Sequence, residues 1–218
     1  MAPAVLLDLY DTLAWIDWPT AGARRAQLAE RAGVDPACLA ERRRRWDQAR
    51  SQGRLGPPTE ELRRLLAGCG RDAGDELLAE LVELDADIWR HCLRLYDDVL
   101  PTLDELRGRG CRLGLVSNCS WPTRPAIEHA GLTGRMDTVV LSCEVGMTKP
   151  DPALLRLALE RLGAEAAGAV FVDDTGLYLD AGRELGLRTV QIHRSGAARA
   201  DHHETIADLR SLPSLLAT

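Results

Sequence analysis

The chain is nearly without lysine. One, Lys149, stands against 26 arginines in 218 residues. Drift from lysine to arginine costs a solvated surface almost nothing. It stops where chemistry needs a compact ammonium on a flexible stem rather than a planar guanidinium fork. Lys149 is therefore a candidate buried or catalytic charge partner, the plain alternative being a leftover surface side chain. Aromatic residues are also scarce, 4% with a single Phe, so the core must come from Leu, Val and Ala. There is no excess of positive charge. The net charge is −6, which provides no global field for nucleic acid or an anionic membrane. No apolar run nears the ~20 residues of a membrane span. No charged segment with a cleavage site precedes the first apolar run, so no signal peptide is expected and the location is expected to be cytoplasmic. The six cysteines (38, 69, 92, 111, 119, 143) form no Cys-x-x-Cys pair, which argues against zinc and thioredoxin-type sites. They are expected to be reduced packing residues. Internal repeats and low-complexity segments are absent.

What is present has a clear order. Residues 4–9 read as a short buried strand. From about 14 to 95 the pattern is almost wholly helical, with Leu28, Leu39, Trp46, Leu62, Leu65, Leu66, Leu77, Leu78, Leu81, Leu84, Ile88 and Trp89 recurring at three- and four-residue steps. Gly33 to Pro36, Gly53 to Pro58 and Gly68 to Gly74 divide it into about four helices. Strand-like runs then follow at Leu113–Ser117, Thr138–Ser142, Ala169–Asp173 and Arg188–Ile192. Helical patterns lie near 99–109, 123–130, 152–162, 175–185 and 204–211. Strands alternating with helices predict a parallel sheet covered on both faces. The class is α/β, a Rossmann-like core of residues 1–13 and 96–218 with an inserted helical cap at 14–95. The run Arg42–Arg45 reads as a solvated helix face.

In an open parallel sheet the loops at the carboxyl ends of the strands converge on one crevice. Here the first strand runs into Asp8 and Thr12, the second ends in Ser117-Asn118, Lys149 follows the third, and the fourth ends in Asp173-Asp174. A carboxylate nucleophile needs a nearby cation to stay ionised. A hydroxyl and backbone amides can hold a phosphoryl oxygen. Carboxylates from separate strands can share Mg²⁺, a hard cation that takes oxygen ligands. Each residue alone has a plain reading: Asp8 or Asp173 as a helix cap, Ser117 as a turn hydroxyl. Their appearance at successive strand ends argues for a site.

These residues resemble the haloacid dehalogenase (HAD) superfamily. Asp8-Leu-Tyr-Asp-Thr-Leu13 resembles its first motif, Leu113–Ser117 with Asn118 its second, Lys149-Pro150 its third and Val170–Asp174 its fourth. The helical insertion is similar to the superfamily's C1-type cap. The resemblance implies that Asp8 attacks the substrate to form an aspartyl intermediate that is then hydrolysed. It implies that Thr12, Ser117 and Asn118 contact the transferring group and that Lys149 clamps the charge. In phosphatase members Asp8, the main-chain carbonyl of Tyr10, and Asp173 with Asp174 would hold Mg²⁺.

Two tyrosines depart from the phosphatase pattern. Tyr10 stands where a second aspartate, the general acid and base, is usual, and Tyr178 stands where motif four has its second acid. Asp180 lies further along the same helix, expected to face elsewhere. A phenol with a pKa of ~10 can donate a proton but is a poor base at neutral pH. Tyr10 also resembles the dehalogenases of the superfamily, which act on 2-haloacids without metal and need a cap arginine for the substrate carboxylate. Arg24, Arg25 and Arg42 to Arg45 are all candidates for that role. Against this, Asp11 and Asp173 replace a glycine and a serine of those enzymes, and extra carboxylates would repel the nucleophile unless a cation intervenes. The leading expectation is a Mg²⁺-dependent phosphatase on a small phosphorylated metabolite. The alternatives are a 2-haloacid dehalogenase and a catalytically weak binding or regulatory protein. Trp15 and Trp18 are expected to pack cap against core, with pocket lining as the alternative. His91, His129, His193, His202 and His203 read as surface or packing residues. The oligomeric state is left open.

Overall fold

The computed structural model describes residues 3–194 and 203–216, so His202 lies outside the described residues. The chain opens with strand β1 (Ala4–Leu7), followed by a short strand β2 (Ala14–Ile16). Five helices come next: α1 (Trp18–Ala32), α2 (Pro36–Arg45), α3 (Asp47–Ser51), α4 (Pro58–Ala67) and α5 (Asp75–Cys92). Strand β3 (Leu93–Leu95) returns the chain to the sheet. Then come α6 (Val99–Gly108), β4 (Arg112–Ser117), α7 (Thr123–His129), β5 (Thr138–Leu141), α8 (Ser142–Val145), α9 (Pro152–Leu162), β6 (Ala169–Asp173), α10 (Gly176–Glu184), β7 (Arg188–Ile192), β8 (Glu204–Ile206) and α11 (Leu212–Leu215).

The main sheet is parallel throughout, in the order β5-β4-β1-β6-β7-β8. β1 lies between β4 and β6, the position its four fully buried side chains require. Alternate residues feed two cores. Val5 and Leu7 point into one with Leu113, Leu115 and Val172; Ala4 and Leu6 point into the other with Phe171 and the apolar faces of α9 and α10. This is the period of two expected of a strand covered on both sides. Gly114 is required where β4 passes the second core: a Cβ there would stand 2.8 Å from Leu6 Cδ2.

The helices start where short polar side chains precede proline. Asp17, Asp35 and Asp151 accept hydrogen bonds from the amides of Thr20, Ala37 and Ala153, and Pro follows in the first turn of each helix. Two contacts seat the helical block on the core. Trp121 Nε1 donates to the Gly56 carbonyl at 2.9 Å. Gly53, at φ 62°, lies so close to Cys143 that a Cβ would meet its carbonyl oxygen.

Several expectations are corrected. The segment 204–211 is not helical: β8 pairs with β7 and a 3₁₀ turn follows at Leu209–Ser211. The ends of the 14–95 block are strands, β2 and β3, paired antiparallel as Ala14↔Leu95 and Ile16↔Leu93. The block holds five helices because α3 forms a single extra turn. β1 stops at Leu7, and Ser142 begins α8 rather than ending β5. Arg42–Arg45 is not wholly solvated, since Arg43 is buried against Asp85 at 3.1 Å. Cys38 and Cys69 form a disulfide joining α2 to the end of α4; Cys92, Cys111, Cys119 and Cys143 are free and buried. Among the described residues no helix is long and apolar enough to cross a membrane.

Candidate active site

The carboxyl ends of β1, β4 and β6 bring the strand-end residues together. The Asp8 amide donates to the Val172 carbonyl at 2.9 Å, so the β1 ladder still holds at the first residue beyond the strand. The chain then turns sharply. Asp11 adopts a positive φ of 56° and its amide donates to Ala14 O, while the amides of Leu13 and Ala14 both donate to Leu9 O. This turn buries Thr12 beside the strand end.

Lys149 is the hub. Its Nζ lies 2.5 Å from Asp8 Oδ1 and 2.6 Å from Asp173 Oδ2, and its side chain is 1% exposed. Its backbone is gripped from both sides by Asn118: the Lys149 amide donates to Oδ1 at 2.8 Å and Nδ2 donates to the Lys149 carbonyl at 2.9 Å. The rings of Tyr178 and Phe171 lie 4.9 and 5.6 Å from the ammonium, close enough for cation–π attraction. Tyr178 therefore offers its ring face to the cation and its hydroxyl to Asn118 Nδ2 at 3.4 Å. Asp180 does face elsewhere, toward Arg183 and His203.

The acids outnumber the cation. Asp8, Asp173 and Asp174 bring carboxylate oxygens within 4.8 Å of one another. Asp173 also accepts from the Thr175 amide, and the Asp174 carbonyl accepts from Gln191 Nε2. Burial raises the Asp8 carboxyl to about 7; Lys149 opposes this and Asp173 adds to it. Asp173 and Asp174 are raised as well, chiefly by burial. For Lys149 burial pulls downward, but attraction to Asp8 and Asp173 outweighs it and holds the ammonium charged well above neutral pH. One cation shared by three carboxylates leaves negative charge uncompensated in a buried place, the condition that favours a divalent ion. The Oγ atoms of Ser117 and Thr12 are buried and have no hydrogen-bond partner among the described residues. Oxygen donors with unsatisfied hydroxyls alongside suit a hard cation and an anionic ligand better than a thiophilic metal.

Tyr10 lies at the edge of this group, its hydroxyl 2.7 Å from Thr123 Oγ1 and its ring beside Trp89. Burial, with Cys119 next, pushes its phenol far above its ordinary value, and the Thr123 bond opposes. Its side chain is thus a neutral hydroxyl, and only its main chain is suited to a metal. Tyr10, Asn118, Lys149 and Tyr178 face a cavity of about 1040 Å³ whose opposite wall is formed by α1, α2, α3 and Trp89 of α5. Trp18 lines it at 60% exposure and Trp15 is 41% exposed, so neither packs cap against core as expected. His203 is buried against Thr189, while His91 is exposed beside His129.

Arg194, which sequence reasoning missed, supports the turn after Asp8. Its Nε and Nη2 donate to the Thr12 carbonyl at 3.0 and 2.6 Å, its Nη1 pairs with the buried Asp98 at 2.6 Å, and its guanidinium stacks 4.0 Å over Tyr96. It follows β7, so the strand-end rule that singled out the other residues would have found it too.

Comparison with known proteins places the chain in a family. Residues 2–186 match the family of haloacid dehalogenase-like hydrolases. The chain is 31% identical over 200 residues to glyceraldehyde 3-phosphate phosphatase of Methanopyrus kandleri, covering 89% of this chain and 85% of that protein. It is 30% identical to Phosphatase MT3486 of Mycobacterium tuberculosis over 72% of each chain. The crystal structure of a 2-haloacid dehalogenase from Pseudomonas syringae superposes with a TM-score of 0.77 at 26% identity, covering 100% and 99% of the two chains. The chain belongs to the haloacid dehalogenase-like hydrolases.

Proposed function

We propose that this hydrolase is a Mg²⁺-dependent phosphatase acting on a small phosphorylated metabolite, with residues 14–95 as the cap that shapes the substrate cavity. The observation that carries the reading is the excess of carboxylate, the buried Asp8 and Asp173 and the half-buried Asp174, around one ammonium. The two relatives named as phosphatases support it.

Asp8 is the nucleophile. Its carboxylate oxygen attacks phosphorus, the ester P–O bond breaks, and the alcohol leaves with a proton. Water then opens the aspartyl phosphate, giving inorganic phosphate and restoring the Asp8 carboxylate. Tyr10, held protonated, is a weak donor for the leaving oxygen, and the missing base at its position predicts slow second-step hydrolysis. Lys149 favours the ionised form of Asp8 against the pull of burial and offsets phosphoryl charge. Ser117 and Thr12, whose hydroxyls have no partner among the described residues, bond the phosphoryl oxygens, and Asn118 fixes Lys149. Asp8, Asp173, Asp174 and the Tyr10 carbonyl would hold Mg²⁺, which supplies charge neutralisation for the nucleophile and the transferring group.

The test is hydrolysis of p-nitrophenyl phosphate. Turnover should require Mg²⁺, stop with EDTA, and vanish in Asp8→Asn. Full turnover in EDTA overturns the proposal. The second reading, 2-haloacid dehalogenation, is favoured by the 0.77 TM-score to a dehalogenase. Halide release from 2-chloropropionate in EDTA would establish it.

A further inference from the structure

Two thiols stand where β4 and β5 end. The parallel register pairs Ser117 with Leu141, and two residues beyond that pair come Cys119 on one side and Cys143 on the other. Neighbouring strands lie about 4.8 Å apart. Ser142 carries the register past the strand ends: its Oγ accepts from the Cys119 amide at 2.9 Å and donates to the Cys119 carbonyl at 3.2 Å. The Cys143 thiol hydrogen-bonds Cys119, and both cysteines are free and buried. The two are not equivalent. Cys119 lines the cavity between Asn118 and Ser120, with Arg124 within electrostatic reach. Cys143 sits behind it, its backbone carbonyl packed against Gly53 of the helical block. The bond to Cys119, then burial, pushes the Cys143 thiol far above its ordinary value, so it keeps its proton. Neither sulfur takes part in the proposed hydrolysis.

We propose that Cys119 and Cys143 are a modification site, a dithiol that a peroxide entering the cavity converts to a disulfide, reversibly slowing the hydrolase. Cys119, on the cavity side, meets the oxidant. Its sulfur gives up its proton and attacks the peroxide O–O bond, which breaks to leave a sulfenic acid and one water. The Cys143 sulfur then attacks the Cys119 sulfur; the S–O bond breaks, and hydroxide departs with the Cys143 proton as a second water. Two thiols and one hydrogen peroxide thus give one disulfide and two waters, the sulfurs losing two electrons and the peroxide gaining them. The effect on turnover follows from the chain. Closing the bond draws the sulfurs from hydrogen-bond contact to about 2.05 Å. Cys119 adjoins Asn118, whose side chain holds both the amide and the carbonyl of Lys149. A displacement of about 1 Å at such a point can cost about 10²-fold in rate.

The experiment treats the full chain with a small excess of hydrogen peroxide, blocks the remaining thiols with iodoacetamide and maps the peptides by mass spectrometry. A Cys119–Cys143 crosslinked peptide, lighter by two hydrogens than its two halves, is expected in wild type. In Cys143→Ala the sulfenic acid has no resolving partner, so dimedone should mark Cys119 there and leave it unmarked in wild type. These readouts need no turnover and do not depend on the phosphatase reading. The kinetic arm follows p-nitrophenyl phosphate, or 2-chloropropionate if that is the substrate turned over. Oxidation should lower kcat of wild type about tenfold or more, and dithiothreitol should restore it. Dithiothreitol also opens Cys38–Cys69, so unoxidised wild type given dithiothreitol is the reference. Cys119→Ala should keep its own starting rate through the same treatment. No crosslinked peptide in wild type, an oxidised wild type that turns over at the reference rate, or an equal loss in Cys119→Ala overturns the proposal.

Discussion

Replacing Asp8 by asparagine should abolish turnover and at the same time stabilise the metal-free protein, increasingly so as pH rises. The Asp8 carboxyl is raised from 3.8 to about 7, mainly by burial. A carboxyl whose folded value lies above its unfolded value keeps its proton in the folded state over that window, so stability is lost as pH climbs from about 4 to about 7. Asparagine imitates the protonated form and carries no such penalty. Lys149 does not alter the sign, because its raised pKa contributes stability that is constant across this range. Each pH unit is worth about 1.4 kcal/mol, so between pH 5 and 7 the variant should gain about 3 kcal/mol on wild type. For a domain of this size that is roughly 6–12 °C in Tm. Melting curves followed by circular dichroism in EDTA at pH 5, 6, 7 and 8 measure it directly. A gap between variant and wild type that stays level, or narrows with rising pH, refutes the argument that burial outweighs Lys149 in setting the Asp8 carboxyl.

Two further outcomes follow from the geometry. Asn118→Ala removes both bonds that fix the Lys149 backbone; it should cost about 1–3 kcal/mol of stability and lower kcat more than KM, as paired steady-state and melting measurements would reveal. Arg194→Met releases the Thr12 carbonyl and leaves Asp98 with one partner fewer; a loss of about 3–5 kcal/mol is expected for the broken buried pair, and Asp98→Asn in the same background should restore part of the melting temperature.

Much of the site was legible because parallel strands buried on both faces read as unbroken apolar runs. Ala169–Asp173 and Leu113–Ser117 could be placed from the sequence, and with them the residues at their carboxyl ends. What escaped reading depends on partners distant in sequence. Ile206 and Leu209 have helical spacing, yet β7 draws residues 204–206 into an edge strand, a tertiary override of local pattern. Nothing in a run of four arginines tells which one is buried; Arg43 is singled out by Asp85 on another helix. The Cys38–Cys69 pair has no local signature, since its cysteines meet only when α2 and α4 pack. Arg25 could be named among several arginines of the helical block, but its place against the Trp89 ring emerges only once α1 and α5 pack.

The ribbon of β2 and β3 has an evolutionary corollary. The polypeptide leaves the sheet and comes back through adjacent, mutually hydrogen-bonded threads, reinforced by the Asp17 amide on Cys92 O and the Tyr96 amide on Leu13 O. Whatever lies beyond that doorway begins and ends at the same point in space. Lengthening, trimming or exchanging the excursion leaves every pairing of the six-stranded sheet as it was. On the proposed function, a change of selectivity can thus be confined to residues 14–95 while Asp8, Lys149 and Asp173 keep their places at the strand ends.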